Sequence, residues 1–359
     1  MKKVLRVIGY IFVSLIGLFL IGVGILWLYS PGTPDIIVDK NGEEILGAFS
    51  AIEKIDVNGT EQYLIMRGVD TTKPIILFLH GGPGAPEYPF FKNKGLEEKF
   101  LMVYWQQRGA AKSYANDLLG SEMTVPQLIS DADVVASYLR TRFQREKIYL
   151  MGHSWGTFLG TLLVHQHPYH FHSYIGIGQV ANQYEGERLS FEWLKAQALA
   201  AENRSDIEKL TPLKFPEISD GFDTWFEFLS VTRPLVTEYG GGMVRENTSS
   251  LDIRKYYFLK TPELTIREKF NIRKGFEFSL KYLFDDVLHA NLSDIDSLSI
   301  PVHILQGVHD YQTPSETAKD FFDRIKAPEK HFYPFENSGH APFLAERAKF
   351  NETIARIVQ

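Results

Sequence analysis

Residues 151–156, Met-Gly-His-Ser-Trp-Gly, are the stretch that decides the fold. The pattern Gly-x-Ser-x-Gly within it is short enough to arise by chance. Here it directly follows an apolar run at 147–151 and precedes a helical pattern at 157–165. A strand that turns sharply into a helix lifts a serine hydroxyl above the sheet, and glycines are needed because the two backbones nearly touch. This context predicts that Ser154 is a nucleophile rather than an ordinary loop serine.

The segments on either side of this turn alternate between apolar runs and helical patterns. Runs without polar alternation are typical of strands buried on both faces, as in a parallel sheet covered by helices. Strand alternating with helix predicts a right-handed, mostly parallel α/β sheet. The predicted strands are 75–79, 100–105, 147–151, 173–178, 300–306 and 330–335, and the predicted helices are 124–143, 157–165, 315–325 and 342–358.

Domain organisation follows from where these patterns stop. Two strands at 51–57 and 61–67 flank Asn58-Gly59, a pair typical of a tight hairpin turn, and they open the first part of the core at 51–180. Between 181 and 290 the apolar runs disappear, and helical stretches rich in aromatic and acidic residues predict a helical cap over the sheet, with 240–242 as a flexible loop. The core resumes at 291–359. The aromatic residues of this insertion, which we expect mainly to form its own core, are Phe191, Trp193, Phe222, Trp225, Phe226, Phe228, Tyr256, Tyr257 and Phe258.

A nucleophilic serine at such a turn needs a base, and the base needs an acid that orients it. In this arrangement they follow the serine along the chain as acid and then histidine, at the carboxyl ends of later strands. Asp310 follows the predicted strand 300–306, and His340 follows the strand 330–335. His340 would take the Ser154 proton, and Asp310 would fix the imidazole tautomer and stabilise the imidazolium. Asp286 and Asp294 are weaker candidates for the acid because neither follows a buried strand.

Glycines after the first buried strand predict an oxyanion hole. Residues 80–84 read His-Gly-Gly-Pro-Gly and follow the strand 75–79. Glycine lets backbone N–H groups approach a developing oxyanion closely. The expected donors are the amide of Trp155 and that of Gly81 or Gly82, and the sequence leaves the choice between the glycines open. A phosphate-binding loop is excluded because neither Gly-Lys-Ser/Thr nor Gly-x-Gly-x-x-Gly follows.

Composition excludes several other classes of function. The 359 residues are 44% apolar and 23% charged, with a net charge of −6. The sequence contains no stripe of basic residues of the kind that would indicate a nucleic-acid partner. The absence of cysteine excludes disulfides, thiolate metal sites and a cysteine nucleophile. Four histidines lie between 165 and 172, but no acid or helical i, i+4 pair accompanies them on one face. We therefore expect neither a metal ion nor a cofactor.

The N-terminus has the features of a membrane anchor. Lysine or arginine occupies positions 2, 3 and 6, and residues 7–29 contain no charge. As a helix these 23 residues would extend roughly 34 Å, enough to cross a hydrocarbon core of about 30 Å. Trp27 and Tyr29 would lie in an aromatic belt at the membrane surface. The positive-inside rule predicts that residues 1–6 are cytoplasmic and that the catalytic domain lies outside the cell membrane. Residues 30–50 would link the membrane helix to this domain. A cleaved signal peptide is the alternative, although the bulky residues near 29 do not fit a cleavage site of small residues.

These motifs together resemble the α/β-hydrolase superfamily, over about residues 57–359. Within it, the segments 80–84, 105–109 (Trp-Gln-Gln-Arg-Gly) and 152–156 are similar to the oxyanion, Asp-Gln-Arg-Gly and nucleophile motifs of the proline iminopeptidases. Two positions depart from that family: Gln106 stands where Asp is usual, and Ala111 where a second Gly is usual. The resemblance implies a cofactor-free exopeptidase that removes an N-terminal residue, often proline, with acidic cap residues holding the free α-amine.

The substrate candidates lie where the chain enters the predicted cap. Gln179 ends a core strand, so the segment after it passes near Ser154, which makes Glu185 and Glu187 the first candidates to pair with an ammonium group. Glu192 and Glu227 stand behind them, and any of these carboxylates could instead belong to a solvated helix face. Arg108 would support the oxyanion loop or form a surface pair.

Three functions remain open from the sequence. The first is a serine exopeptidase acting on small peptides through an acyl-enzyme. The second is an esterase or lipase that uses the same residues on uncharged acyl substrates. The third is a membrane-tethered binding protein, which predicts a broken triad, whereas Ser154, Asp310 and His340 fill all three positions.

Overall fold

The computed structural model describes residues 2–39, 41–92, 95–245 and 261–359. The strands are β1 (Phe49–Val57), β2 (Thr60–Gly68), β3 (Ile75–Leu79), β4 (Leu101–Gln106), β5 (Ile148–His153), β6 (Phe171–Ile177), β7 (Val302–Gly307) and β8 (Lys330–Phe335). The helices are α1 (Lys2–Leu28), α2 (Tyr88–Phe91), α3 (Val125–Arg142), α4 (Trp155–Gln166), α5 (Gln183–Ala200), α6 (Arg204–Leu210), α7 (Phe222–Glu238), α8 (Ile266–Leu288), α9 (Ser315–Arg324), α10 (Pro342–Ala345) and α11 (Arg347–Ile357).

All eight strands form a single sheet in the order β1-β2-β4-β3-β5-β6-β7-β8. β2 runs antiparallel to both of its neighbours, and the other pairs are parallel. The hairpin between β1 and β2 is confirmed, since Asn58 (φ 50°) and Gly59 (φ 78°) both adopt the left-handed conformation that its turn requires. The predicted α/β fold class with a mostly parallel sheet is confirmed.

The central strands are buried from end to end. Every residue of β3, β4, β5 and β7 is buried, because helices cover both faces of the sheet. This explains why their sequences read as unbroken apolar runs rather than as an alternation of apolar and polar residues. The carboxyl ends of these parallel strands therefore share one edge of the sheet, where loops can bring distant residues together.

Helices α5 to α8 lie between β6 and β7 and enclose an apolar core of their own. Its buried aromatic residues include Phe191, Trp225 and Phe228, whereas Phe226 is exposed. Tyr256, Tyr257 and Phe258, which the sequence assigned to this core, lie outside the described residues. The predicted limits of the cap, at 181 and 290, and of the two core segments stay predictions.

The glycine-rich segment at 240–242 is not the free loop that the sequence predicts. The Gly241 carbonyl accepts a hydrogen bond from Tyr311 N–H at 3.0 Å, and the Gly242 carbonyl accepts one from His340 N–H at 2.9 Å. The next carbonyl along the chain continues this ladder. Since the Cβ of an alanine at 339 would lie 2.3 Å from the Gly242 carbonyl oxygen, the two backbones are in close contact. These backbone contacts fix the segment against the loops of Asp310 and His340.

The C-terminal helix is divided, whereas one helix over 342–358 was predicted. α10 and α11 meet at Glu346, whose backbone (φ −122°, ψ 50°) is not helical. Its carboxylate accepts hydrogen bonds from Asn337 N–H at 2.9 Å and Ser338 Oγ–H at 2.7 Å. These hydrogen bonds hold the loop before His340, and they involve the residue at which the helix is interrupted.

α1 stands apart from the sheet, and its apolar side chains from Val7 to Leu28 are mostly exposed. The segment Arg6–Leu28 is, among the residues that the structure describes, the one helix long and apolar enough to cross a membrane. A signal sequence near an N-terminus can meet the same criteria of length and hydropathy, so α1 agrees with either a membrane span or a signal sequence.

Arg108 forms a buried ion pair, and neither of its predicted roles fits. Its Nε and Nη2 atoms donate to Asp131 on α3 at 2.7 and 3.0 Å. Asp131 also accepts hydrogen bonds from Asn58, Gln62 and Gln127, each at 2.8 Å. A single buried carboxylate thus joins the β1–β2 hairpin, the β4 loop and α3.

Replacement of Asp131 tests this junction. Asp131→Ala leaves the buried Arg108 guanidinium without its close partner and with only the more distant, exposed Glu122 at 3.5 Å among the described ion pairs. Loss of a buried partner typically costs about 3–5 kcal/mol. We expect the free energy of unfolding, measured by urea denaturation, to fall by that amount. Glu61→Ala removes a carboxylate from an exposed pair with Lys54 and should cost less than about 1 kcal/mol. Equal losses for the two variants would contradict the structural role of the buried pair.

Candidate active site

Ser154 lies at a sharp turn between β5 and α4. Its backbone angles, φ 53° and ψ −123°, are strained for a residue other than glycine. A Cβ on Gly152 would lie 2.3 Å from the Gly156 carbonyl oxygen, and one on Gly156 would lie 2.1 Å from that of Leu79. Neither distance is possible for a real side chain, so the backbones of β3, β5 and α4 meet here only because both positions are glycine. The turn is the one that the sequence predicts for Ser154.

Asp310 and His340 meet in the loops that follow β7 and β8. His340 Nδ1 and Asp310 Oδ2 are 2.8 Å apart, and Oδ2 also accepts from Gln306 Nε2 at 3.0 Å and from Thr313 Oγ1 at 2.9 Å. Oδ1 accepts the N–H groups of Gln312 and Thr313, both at 2.9 Å. Burial opposes the charge on Asp310, but His340 and Thr313 outweigh it and hold the pKa of the carboxyl below its usual range. The carboxylate is therefore anionic and fixed in place.

Ser154 and His340 line the same cavity. Because Nδ1 of His340 is bound to Asp310, Nε2 is the ring nitrogen that can act on a group in this cavity. Burial lowers the pKa of His340 below its usual value, and the charge of Asp310 opposes that shift in part. A neutral imidazole is therefore present near pH 7, which is the form that accepts a proton. Asp286 and Asp294 do not take the place of the acid, because Asp310 occupies it.

The cavity has a volume of about 520 Å³ and lies between the sheet edge and the helical insertion. Most of its wall is apolar, and Phe226 and Phe276 are both in the wall and exposed to solvent, at 55% and 37%, which places them at the rim. Polar side chains also line it, among them Glu187 and Arg233. The further apolar lining residues are Ala85, Phe90, Trp155, Val180, Leu229, Met243, Leu280, Phe284, Val287 and Ala290.

The two candidate oxyanion glycines have different surroundings. The N–H of Gly81 donates to the Glu87 carboxylate, at 2.9 Å to Oε2 and 3.2 Å to Oε1, so it is already engaged. Gly82, with φ 112°, lines the cavity together with Trp155. The prediction of Gly81 as an oxyanion donor is therefore corrected, because its N–H group fixes the loop instead. Gly82 and Trp155 remain the candidate donors.

Glu87 and His153 form a buried pair that the sequence analysis missed. His153 Nδ1 lies 2.8 Å from Glu87 Oε1, and its Nε2 lies 3.0 Å from the His340 carbonyl oxygen. Because both partners are acceptors, both ring nitrogens carry a proton and the ring is an imidazolium. Burial disfavours this charge, but Glu87 outweighs it and raises the pKa of His153. The pair thereby links the loops of Gly81, Ser154 and His340.

The three candidate substrate residues separate in the structure. Glu187 is 5% exposed and lines the cavity, as expected. Glu185 lies outside the cavity and pairs with Arg188 at 2.5 Å, with a side chain 38% exposed. Gln179 is fully buried, and its side chain donates to the Val180 carbonyl at 2.8 Å, so it is part of the core. The prediction that Glu185 and Gln179 bind the substrate is therefore corrected.

The secondary acidic candidates also lie away from the cavity. Glu192 shares Arg188 with Glu185, and Glu227 is exposed. Arg233, which the sequence did not single out, binds Glu187 and donates to the Gln312 carbonyl at 3.5 Å.

The departures from the proline iminopeptidase pattern have physical consequences. The amide group of Gln106 is fully buried and hydrogen-bonds to no described residue, so an aspartate there would be a charge without a partner. Ala111 has a φ of 41°, in the left-handed region that glycine adopts at low cost. Gln107 supports the oxyanion loop by donating to the His80 carbonyl at 3.0 Å.

Comparison with known proteins gives a consistent result. A family described as "alpha/beta hydrolase fold" matches residues 74–346. "Probable aminopeptidase YbaC" of Bacillus subtilis is 31% identical over 314 residues, which cover 86% of this chain and 96% of that protein. "Probable proline iminopeptidase" of Leptolyngbya boryana is 32% identical over 106 residues, 30% of this chain and 31% of that protein. The crystal structure of proline iminopeptidase from Mycobacterium smegmatis superposes with a TM-score of 0.58 at 16% identity, covering 86% of this chain and 97% of that one.

Titration of His153 tests the buried pair. Glu87→Gln removes the negative charge that holds the proton on His153, so burial then dominates and the pKa of His153 should fall below the usual value of about 6.5. NMR titration of labelled histidines would measure the shift. Asp133→Asn is the matched control, because it removes a carboxylate that contacts His170 and His167 and should leave the titration of His153 unchanged. An unchanged His153 titration in Glu87→Gln would show that the pair is not the cause.

Proposed function

Because the chain belongs to the α/β-hydrolase fold family, we propose that it is a serine hydrolase that releases an N-terminal residue from short peptides. Ser154 is the nucleophile, His340 the general base and acid, and Asp310 the residue that orients the imidazole. The observation that carries the peptidase proposal is Glu187, a buried carboxylate in the same cavity as Ser154. The name of the Bacillus subtilis relative, with which the chain aligns over most of its length, supports the same activity.

The chemistry proceeds in two halves. Ser154 Oγ attacks the carbonyl carbon of the first residue while its proton passes to Nε2 of His340. The oxyanion that forms accepts hydrogen bonds from the N–H groups of Gly82 and Trp155. His340 then gives its proton to the leaving amine, and an acyl-enzyme remains. A water molecule, deprotonated by His340, attacks the acyl carbon and releases the free amino acid.

The hydrogen bonds of Asp310 account for its part in this cycle. His340 is an imidazolium each time it has accepted a proton, and a buried cation needs a nearby anion. The five groups that donate to Asp310 keep it ionised and hold its Oδ2 toward Nδ1. The imidazole is thus fixed in the tautomer that has Nε2 free to accept a proton.

Glu187 is suited to bind the free α-amine of the substrate. Arg233 Nη2 and Gln183 Nε2 both donate to its Oε1 atom. Its Oε2 atom accepts no hydrogen bond from the described residues and can accept one from an ammonium group. Arg233 reduces the cost of keeping this carboxylate ionised in a mainly apolar wall. The apolar residues around it then accommodate a prolyl ring or a side chain of similar size.

We propose that α1 is a retained, single-pass membrane anchor. Its charge-free stretch is long enough for a bilayer, and its first residues carry the cations expected on the cytoplasmic side. The bulky residues Trp27, Leu28 and Tyr29 differ from the small residues of a signal-peptidase site. The catalytic domain would therefore lie outside the cell membrane, where short peptides are available.

Covalent labelling and a substrate panel test the activity. A fluorophosphonate should label the protein, and Ser154→Ala should abolish labelling because the nucleophile is lost. Prolyl and alanyl amides with a free α-amine should be hydrolysed, and the same amides with an acetylated amine should not. Hydrolysis of short acyl esters without any amide cleavage would replace the peptidase with the esterase alternative. Labelling that persists in Ser154→Ala would refute the assignment of the nucleophile.

Substitution of Glu187 tests amine recognition. Glu187→Gln removes a charge-assisted hydrogen bond worth about 1.5–3 kcal/mol, so kcat/KM for a prolyl amide should fall about 10- to 100-fold. Hydrolysis of an ester that lacks an amine should change little. Glu185→Gln is the matched control on the same helix, and it should have less than about a twofold effect because Glu185 faces solvent. Equal losses on the amide and the ester would argue against binding of the amine by Glu187.

A further inference from the structure

The segment that follows α1 is attached to the first turn of α8. Lys269 Nζ donates to the Tyr29 carbonyl at 2.5 Å, and Gly32 N–H donates to the Pro262 carbonyl at 2.9 Å. Pro31 forms an isolated antiparallel bridge with Thr265, the residue that caps α8. The C-terminal end of α1 and the N-terminal end of α8 are therefore neighbours.

A second set of contacts holds the segment on the catalytic core. Arg67 on β2 donates to the Asp35 carbonyl at 2.7 Å and to the Ile36 carbonyl at 2.9 Å. Lys92 Nζ contacts Asp35 Oδ2 at 2.7 Å. The Arg67 side chain is fully buried, so its hydrogen bonds to the segment are shielded from water. Residues 29–36 are thus a rigid connection rather than a flexible tether.

This connection sets the depth of α8 relative to the bilayer. The headgroup layer on each side of the hydrocarbon core is about 5–8 Å thick. Tyr29 directly follows α1, so its carbonyl and the Lys269 amine lie at or near that layer. Lys274 is five residues beyond Lys269, which corresponds to about 8 Å along a helix. The first two turns of α8 are therefore within reach of lipid headgroups.

The outward side of these turns carries cations around an aromatic ring. Arg267, Phe270 and Lys274 follow the i, i+3, i+7 spacing of one helix face, and all three are exposed. Phe270 is 56% exposed. No described carboxylate lies within ion-pair distance of Arg267 or Lys274, so both cations can bind external anions. Cations beside an aromatic residue are typical of helix faces that lie in a membrane interface.

We propose that Arg267, Phe270 and Lys274, the interfacial face of α8, bind the headgroup layer of the bilayer from which α1 emerges, with a preference for anionic phospholipids. The proposal rests on α1 being a retained anchor. The two cations contact lipid phosphates, and the Phe270 ring enters the region between headgroups and acyl chains.

This contact would link the bilayer to the wall of the active-site cavity. Later turns of the same helix carry Phe276, Leu280 and Phe284, which line the same cavity as Ser154. Since α8 is a continuous helix of 23 residues, fixing its N-terminal turns against lipid also fixes the direction of this wall. The rim residue Phe276 lies about 9 Å along the helix from Phe270. The mouth of the cavity is therefore held close to the membrane surface.

A fluorescent label at position 270 tests the location of this face. The chain has no cysteine, so Phe270→Cys in the full-length protein accepts one environment-sensitive fluorophore. In nanodiscs of phosphatidylcholine and phosphatidylglycerol, its emission should shift to shorter wavelength and be quenched by a headgroup-attached quencher. Glu329→Cys is the control, because it precedes β8, which lies six strand spacings, about 29 Å, from β2 across the sheet. The label at 329 should remain in water.

Removal of the charges tests the preference for anionic lipid. Arg267→Gln combined with Lys274→Gln should weaken the effect of phosphatidylglycerol on the emission of the label at 270 by at least about threefold. Arg204→Gln combined with Lys214→Gln removes the same charge from exposed positions near α6 and should leave that effect intact. An effect that is equal in both double variants would overturn the proposed charge recognition.

Flotation of the same full-length protein with vesicles distinguishes failure of the membrane-anchor proposal from failure of the proposed lipid contact of α8. Protein that does not float, or that has lost its N-terminal residues, would refute the anchor and with it the proposed contact. Protein that floats while the label at 270 is as exposed to water as the label at 329 would refute the contact alone. Loss of peptidase activity affects neither result, because the label reports position and not catalysis.

Discussion

The close approach of three backbones at Gly152, Gly156 and Leu79 is the constraint on which the rest of the site depends. A methyl group at either glycine would overlap a carbonyl group, so the turn that carries Ser154 exists only with these two residues. The strained conformation of Ser154 is the consequence, and the hydrogen bond from its N–H to the Ile177 carbonyl at 2.9 Å helps to hold it. All other candidate residues are arranged around this fixed point at the carboxyl edge of the sheet.

Two buried pairs of carboxylate and imidazole surround that point and have opposite tasks. In the pair of Asp310 and His340, the histidine is neutral at rest and faces the cavity, so it can gain and lose a proton. In the pair of Glu87 and His153, both ring nitrogens contact acceptors, and although burial opposes a charge, Glu87 raises the pKa of His153 and favours the imidazolium. Its positive charge also lowers the pKa of the nearby His340. One pair is therefore suited to proton transfer and the other to holding loops in position.

The helical insertion between β6 and β7 is bonded both to the catalytic loops and to the segment after α1. Backbone hydrogen bonds from Tyr311 and His340 to Gly241 and Gly242 attach it directly to the loops of the acid and the base. Its helix α8 contacts the segment after α1 through Lys269, so the same insertion reaches from the catalytic loops toward the N-terminal helix. The position of the base is thus coupled to the packing of the insertion.

The sequence determined the features that depend on local geometry and on order along the chain. Gly-x-Ser-x-Gly after an apolar run specified the turn at Ser154, because only glycine permits that contact, and the strand ends specified Asp310 and His340. Apolar runs specified the buried strands, with β3 at its observed limits, since a strand covered on both faces has no polar positions. β8 also has its predicted limits, although it is an edge strand in which only Phe335 is buried. The hairpin followed equally directly from Asn58 and Gly59.

Tertiary structure alone decided which polar groups meet. Glu185 and Glu187 are two residues apart, yet on a helix this spacing places them about 200° apart, so one faces solvent and the other the cavity. Gly81 and Gly82 are adjacent, and only the distant Glu87 distinguishes them by engaging the first. Glu87, His153 and Arg233 have no local signature, because their partners are 66, 187 and 46 residues away along the chain. Spacing determines which way a residue points, whereas its charge partner depends on how distant segments pack.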